Sequence, residues 1–126
     1  MLHKMKLRQY FFDKIKSSEK IYEIRLYDEK RKLISVGDEI LFSGQEIQKE
    51  TLLTEVVELK CFRTFEEMCK TIALAEIGLN GTIEDAVSVY RQFYSIEEEK
   101  QYGVIAIKIK LKKATWKSCC FFVIIL

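Results

Sequence analysis

The sequence predicts an α+β fold: a small β-barrel with helices packed at its ends. Three observations carry this. Lys20–Tyr27 and Gly103–Lys113 alternate apolar and polar residues with period two, as half-buried strands do. Between them, Thr64 with Glu67, then Thr82 and Ser95, open apolar-periodic segments with helix-capping chemistry. Finally, 126 residues without a single proline or low-complexity linker form one domain-sized unit, single cores typically running to roughly 100–150 residues.

Taken in order, Met1–Leu7 alternates weakly and reads as a short strand or a frayed end. Arg8–Ser17 places Phe11, Phe12 and Ile15 at helical spacing, so a short helix follows, ended by Ser17-Ser18. In Lys20–Tyr27, Tyr22, Ile24 and Leu26 share the face expected to meet the core, while Glu23 and Arg25 sit together on the other. That charge pair is either a half-exposed salt bridge or the floor of a polar cleft. Asp28–Lys32 is too charged to bury, and its aspartate suits the start of a single helical turn. Gly37-Asp38 marks a tight corner that needs positive φ, and Glu39–Phe42 is the next strand. Ser43–Glu50 reads as a polar loop around Gly44.

Thr51–Arg63 is β-rich and reads as a long strand, with Leu53, Val57, Leu59 and Cys61 on one face. The helix opened by Thr64 is expected to reach about Glu76, with Gly78 stopping it. The next helix, after Thr82, turns Ile83, Ala86, Val87 and Tyr90 inward. A last short one, Ile96–Gln101, is acidic in its first turn, as the helix dipole prefers. In Gly103–Lys113, Ile105, Ile107, Ile109 and Leu111 face one way and Lys108, Lys110 and Lys112 the other, a stripe that also suits protection of a sheet edge. The tail from Ala114 is atypical: Cys119–Leu126 is eight apolar residues, read as a final strand packed on the domain or as an exposed end available to a protein partner.

Composition narrows the function classes. At 48% hydrophobic and 32% charged, the chain is neither disordered nor a helical membrane protein, and no apolar run nears the roughly 20 residues of a membrane span. The N-terminus lacks the apolar core of a signal peptide, so a cytoplasmic location is expected. The single histidine, His3, and the spacing of Cys61, Cys69, Cys119 and Cys120 match no zinc pattern, and neither a metal nor another cofactor is expected. The net charge of +2 conceals blocks: residues 1–35 hold 10 Lys/Arg against 5 Asp/Glu, residues 36–102 hold 6 against 14, and residues 103–126 hold 5 against none. Were the first and last strands neighbours, their charges would add to one basic face suited to a polyanion; alone, each block is only a solvated surface.

Lys20-x-x-Glu23-x-Arg25, then a basic turn, then Val36-Gly37-Asp38-Glu39-Ile40-x-Phe42, then a closing Gly103-Val104-x-Ala106-Ile107 strand together resemble the ASCH (activating signal cointegrator homology) domain. The resemblance runs over about residues 11–111. It implies a variant of the PUA fold and RNA bound in a cleft between barrel and helices. Lys20, Glu23 and Arg25 then map to the cleft, flanked by the turn residues Lys30, Arg31 and Lys32. Lys108 and Lys110 extend the basic face, and Tyr94 is the best placed of Tyr90, Phe93 and Tyr94 for base stacking; the bland reading of these aromatics is core.

The resemblance leaves an enzymatic alternative open, with Lys20 and Glu23 as acid/base candidates. An acetylcytidine amidohydrolase branch is similar here but uses a threonine where this chain has Glu23, and a carboxylate cannot replace an alcohol activated by a base. Other members are described as ribonucleases. Where members commonly carry Gly-Lys before the first strand, this chain has Ser18-Glu19-Lys20. A third reading is a protein-interaction domain that uses the apolar tail.

Overall fold

The computed structural model describes residues 1–44, 50–116 and 122–125. Its strands are β1 (Leu2–Leu7), β2 (Tyr22–Leu26), β3 (Glu39–Gly44), β4 (Glu50–Phe62), β5 (Val104–Trp116) and β6 (Phe122–Ile125). Its helices are α1 (Gln9–Lys16), α2 (Phe65–Thr71), α3 (Ile83–Arg91) and α4 (Ile96–Tyr102), with 3-10 turns at Arg31–Leu33 and Leu74–Ile77. The strands form one curled sheet in the order β1-β3-β4-β5-β2, with β6 pairing β5 beyond Lys113. β1 and β3 are parallel; every other pairing is antiparallel.

Two apolar cores share this sheet. Inside the curl, α1 drops Phe12 and Ile15 onto Phe42, Leu52, Ile105 and Ile107. On the opposite face, α2 and α3 cover β2 and β5, packing Phe65, Met68, Ala86 and Tyr90 against Ile24, Leu26, Val104 and Ala106. β5 is therefore buried on both sides from Val104 to Ile107. The period-two contrast seen in its sequence holds only beyond that point.

Several expectations are corrected here. The helix from Thr64 ends at Thr71, because Ile72 turns extended (φ −105°, ψ 134°); a separate 3-10 turn then runs to Gly78, which closes it at φ 83°. In the first half of β4 the buried face is Glu50, Leu52, Thr54 and Val56, with Thr51 the one buried residue of the opposite face, and Leu53 and Val57 are not buried. Of the two register shifts against β5, the one at Leu53/Thr54 puts the extra residue, Lys112, in β5; the one at Val56/Glu58 puts Val57 extra in β4 and exchanges its faces, so that Leu59 packs on the inner core. β5 is not an edge strand, and two of its lysines meet carboxylates: Lys108 lies 3.9 Å from Glu58 on the adjacent β4, and Lys112 reaches Glu39 of β3, one strand further on, at 2.8 Å. β1 and β5 are separated by β3 and β4, so the first and last long strands are not neighbours; of the N-terminal basic block only β2 pairs β5. The middle of the Gly44 loop, residues 45–49, lies outside the described residues. So do residues 119–121 and 126 of the apolar tail, while β6 pairs with β5.

Other readings hold. Gly37 takes φ 95° at the corner, and Asp38 behind it accepts from His3 (2.8 Å), from the backbone N–H of Ser35 (3.0 Å) and from the terminal amine (3.1 Å). Thr82 and Ser95 both complete reciprocal capping boxes, with Asp85 and Glu98. Asp28 accepts the N–H of Arg31 at 3.0 Å.

Candidate functional site

The curl leaves a seam. β1 and β2 are the two ends of the sheet, and no ladder joins them. Arg25 crosses the gap instead, its Nη2 donating to the carbonyl of Lys6 at 2.9 Å. A cleft of about 150 Å³ opens at this seam, walled by β2, the end of β1, α1 and the last turn of α3.

Its floor is a buried charge chain. Glu23, 4% exposed, takes Lys20 Nζ on Oε1 at 3.2 Å and Arg25 Nε on Oε2 at 2.6 Å. Lys20, 3% exposed, also donates to the carbonyls of Tyr22 (2.6 Å) and Ile77 (3.2 Å). Burial lowers the Lys20 pKa, against an opposing pull from Glu23. Burial by itself raises the Glu23 pKa, but Lys20 and Arg25 outweigh it, and the net shift is downward. Three acceptors around Nζ match an ammonium, whereas a neutral amine would turn a lone pair on one of them. The pair is thus a fixed +/− couple with a second cation attached, and Lys20 is placed to hold charge rather than to accept a proton.

Local sequence sets these positions. α1 ends in a Schellman motif: Ser18 N–H donates to Ile15 O and Glu19 N–H to Lys14 O, with Ser18 in the left-handed region at φ 64°. That reversal sends the next residue but one, Lys20, inward. From the other side the Leu74–Ile77 turn presents the Ile77 carbonyl, and Gly78 packs directly on the Lys20 stem.

The upper walls are aromatic and basic. Phe65, Tyr90 and Tyr94 form a stack, with Phe65 at 4.7 Å and 6° from Tyr90 and at 5.5 Å and 12° from Tyr94. The Tyr90 hydroxyl is buried on the cleft wall and makes no hydrogen bond among the described residues. Phe93 is 40% exposed at the mouth, with the Arg8 guanidinium 4.3 Å above its ring. Lys6 and Arg8 complete a lining of four cations, with Lys20 and Arg25, around the single carboxylate Glu23.

Of the residues singled out from sequence, Lys20, Glu23, Arg25 and Tyr94 meet in the cleft. Lys20 is buried there, not part of a solvated cluster with Lys30 and Lys32, which are exposed. Arg31 pairs with Asp28 at 3.3 Å, outside the lining. Lys108 and Lys110 do not line the cleft; Lys108 lies over the Tyr22 ring and Lys110 is opposite Glu55. Sequence reasoning missed Lys6, Arg8, Phe11 and Gly78. Arg8 and Phe11 carry a faint trace, standing at the start and on the flank of an amphipathic helix whose core face is Phe12 and Ile15.

A curled sheet with helices packed on both its faces, and a basic and aromatic cleft at its seam, defines a small barrel-type α+β architecture. The family model for the ASCH domain matches residues 5–113, and the chain belongs to the ASCH domain family. The chain is similar to the hypothetical protein PH0355, at 38% identity and a TM-score of 0.80 over 88% of this chain and 99% of that one. It is also similar to protein PF0455 from Pyrococcus furiosus, at 40% identity and a TM-score of 0.71 over 88% and 97%. The ASCH protein of Zymomonas mobilis shares the fold at 12% identity, with a TM-score of 0.57 over 99% of this chain and 87% of that one. No curated protein matches the chain. Among the described residues, no helix is long and apolar enough to cross a membrane.

Proposed function

We propose that this protein is an RNA-binding module and that the seam cleft is its RNA site. One observation carries the reading: four cations and only one carboxylate line the cleft, and both oxygens of that carboxylate are already engaged by Lys20 and Arg25. Such a pocket has positive charge to spare for phosphate. Lys6 and Arg8 at the mouth are the phosphate-facing groups. Phe93 and Tyr94 offer rings on which an unstacked base rests, as single-stranded RNA recognition requires. The ammonium state imposed on Lys20 by its three acceptors favours binding over catalysis.

The test is anisotropy of labelled single- and double-stranded RNA at several salt concentrations, with the same samples then run on a gel. Binding that weakens steeply with salt, leaves the RNA intact and drops about tenfold in Arg8→Ala is the expected result. Arg8 suits the test because it is exposed and its removal leaves the charge chain untouched. Equal binding by Arg8→Ala and wild type overturns the cleft assignment. RNA cleavage that Glu23→Gln abolishes replaces the reading with an enzyme.

A further inference from the structure

The cations at the cleft mouth continue along β1. Met5 and Leu7 point into the core, so Lys4, Lys6 and Arg8 all stand on the exposed face of the strand and its extension. Alternate residues of a strand are roughly 7 Å apart, close to the separation of neighbouring phosphates in an extended single strand of RNA. None of the three side chains makes an ion pair or hydrogen bond among the described residues. Their neighbours on β3 are uncharged, Lys4 standing beside Leu41 and Lys6 beside Ser43. The carboxylates at the start of the strand are already engaged, Asp38 by His3 and the terminal amine, and Glu39 by Lys112. β1 is also an edge, since it pairs only with β3, where the Met1 carbonyl accepts the Glu39 N–H. The backbones of Lys4 and Lys6 therefore turn the other way, toward the seam, where the Lys6 carbonyl meets Arg25. Their N–H groups face that side without a strand partner.

Resting on the RNA-binding reading, we propose that the exposed face of β1 is a track for single-stranded RNA running on from the cleft, with Arg8, Lys6 and Lys4 taking three successive phosphates. The nucleotide in the cleft is held at Arg8, and the next two lie over β1. Ammonium groups and backbone N–H groups are the donors that grip phosphate, and they read no base edge there. The track therefore adds affinity and sets the path of the strand without adding sequence preference. It ends at Lys4, because the preceding residue on this face is Leu2, with the Asp38 and Glu39 carboxylates beyond it.

The experiment is a backbone-amide NMR titration of the full chain with oligouridylates of one, three and six nucleotides at several salt concentrations. It is run on wild type, Lys4→Ala and Lys110→Ala, the last removing the same charge three strands away. In wild type, affinity is expected to rise about tenfold from one nucleotide to three, and from three to six only by the extra registers of the longer chain. The Lys4 amide shifts with the trinucleotide and not with the mononucleotide. Lys4→Ala weakens the trinucleotide about threefold or more, lowers its salt slope by about 0.7 and leaves the mononucleotide unchanged, while Lys110→Ala matches wild type. A trinucleotide that binds no tighter than the mononucleotide, or equal losses in Lys4→Ala and Lys110→Ala, overturns the track. The lysines of β1 then only guard an exposed edge, and the RNA-binding reading stands. If no oligonucleotide shifts a cleft residue, the RNA-binding reading falls and the track with it.

Discussion

Lys20 runs its stem against Gly78 so closely that a β-carbon on Gly78 would stand 3.0 Å from Lys20 Cδ and 3.4 Å from its Cβ. Lys20 cannot move aside, because its ammonium is held by Glu23 and by two carbonyls. Gly78 is therefore part of the site, although it never touches the cleft.

Gly78→Ala is expected to destabilise the fold by at least roughly 1–2 kcal/mol, since it forces a side chain into φ 83° as well as into the Lys20 stem. Chemical denaturation measures the loss. A second readout separates crowding at Lys20 from simple strain: amide shifts at Lys20 and Glu23 should move with the substitution. Unchanged stability would show that the turn relaxes without cost.

Ser18 gives the opposite prediction. It occupies the left-handed position of the motif that ends α1, at φ 64°, where glycine bears no steric penalty. Ser18→Gly should stabilise the protein by about 1 kcal/mol and leave RNA affinity unchanged, since the Ser18 side chain does not line the cleft. The midpoint of urea unfolding decides it; a fall in the midpoint would mean that the serine hydroxyl contributes more than its backbone costs.

Asp38 supplies a pH prediction. Its pKa is drawn down to about 2, first by the His3 hydrogen bond, then by the Ser35 N–H and the terminal amine. A carboxyl held lower in the folded chain than in the unfolded one stabilises the fold at all pH above its unfolded value of 3.8, and that contribution is lost as pH falls towards 2. Acid titration of wild type should thus show stability falling between about pH 4 and pH 2. In Asp38→Asn the profile should be flatter across that window. Parallel profiles would remove Asp38 from the account of acid unfolding.

The sequence makes some of this visible and hides the rest for identifiable reasons. Period-two alternation exposes β2 and the outer half of β5, because one face of each segment is polar. It fails in β4, where the shift at Val57 changes which face is buried, and a shift leaves no compositional mark. Capping chemistry marks the starts of α2, α3 and α4, each at a Thr or Ser with an acid three residues on. The end of α2 is harder to read, since Ile72 leaves the helix to bury its side chain and not because a breaker stands there. Glu23 and Arg25 stand out as charges on an apolar strand. Lys6 and Arg8 do not, because they come to the cleft through the pairing of β1 with β3, a contact between segments more than thirty residues apart.

The register shifts between β4 and β5 lie in the wall of the curl, away from its mouth. Each extra residue in a strand tightens the local bend and twist of the sheet. Because β1 and β2 are opposite ends of one sheet, every increment of curvature added by the extra residues, Lys112 in β5 and Val57 in β4, is summed across the strands and appears as a change in the distance between those ends. The aperture that Arg25 spans is in this sense set remotely. Val57 and Lys112 calibrate it, as the turns of a spring fix the gap between its free ends, without lining the cleft themselves.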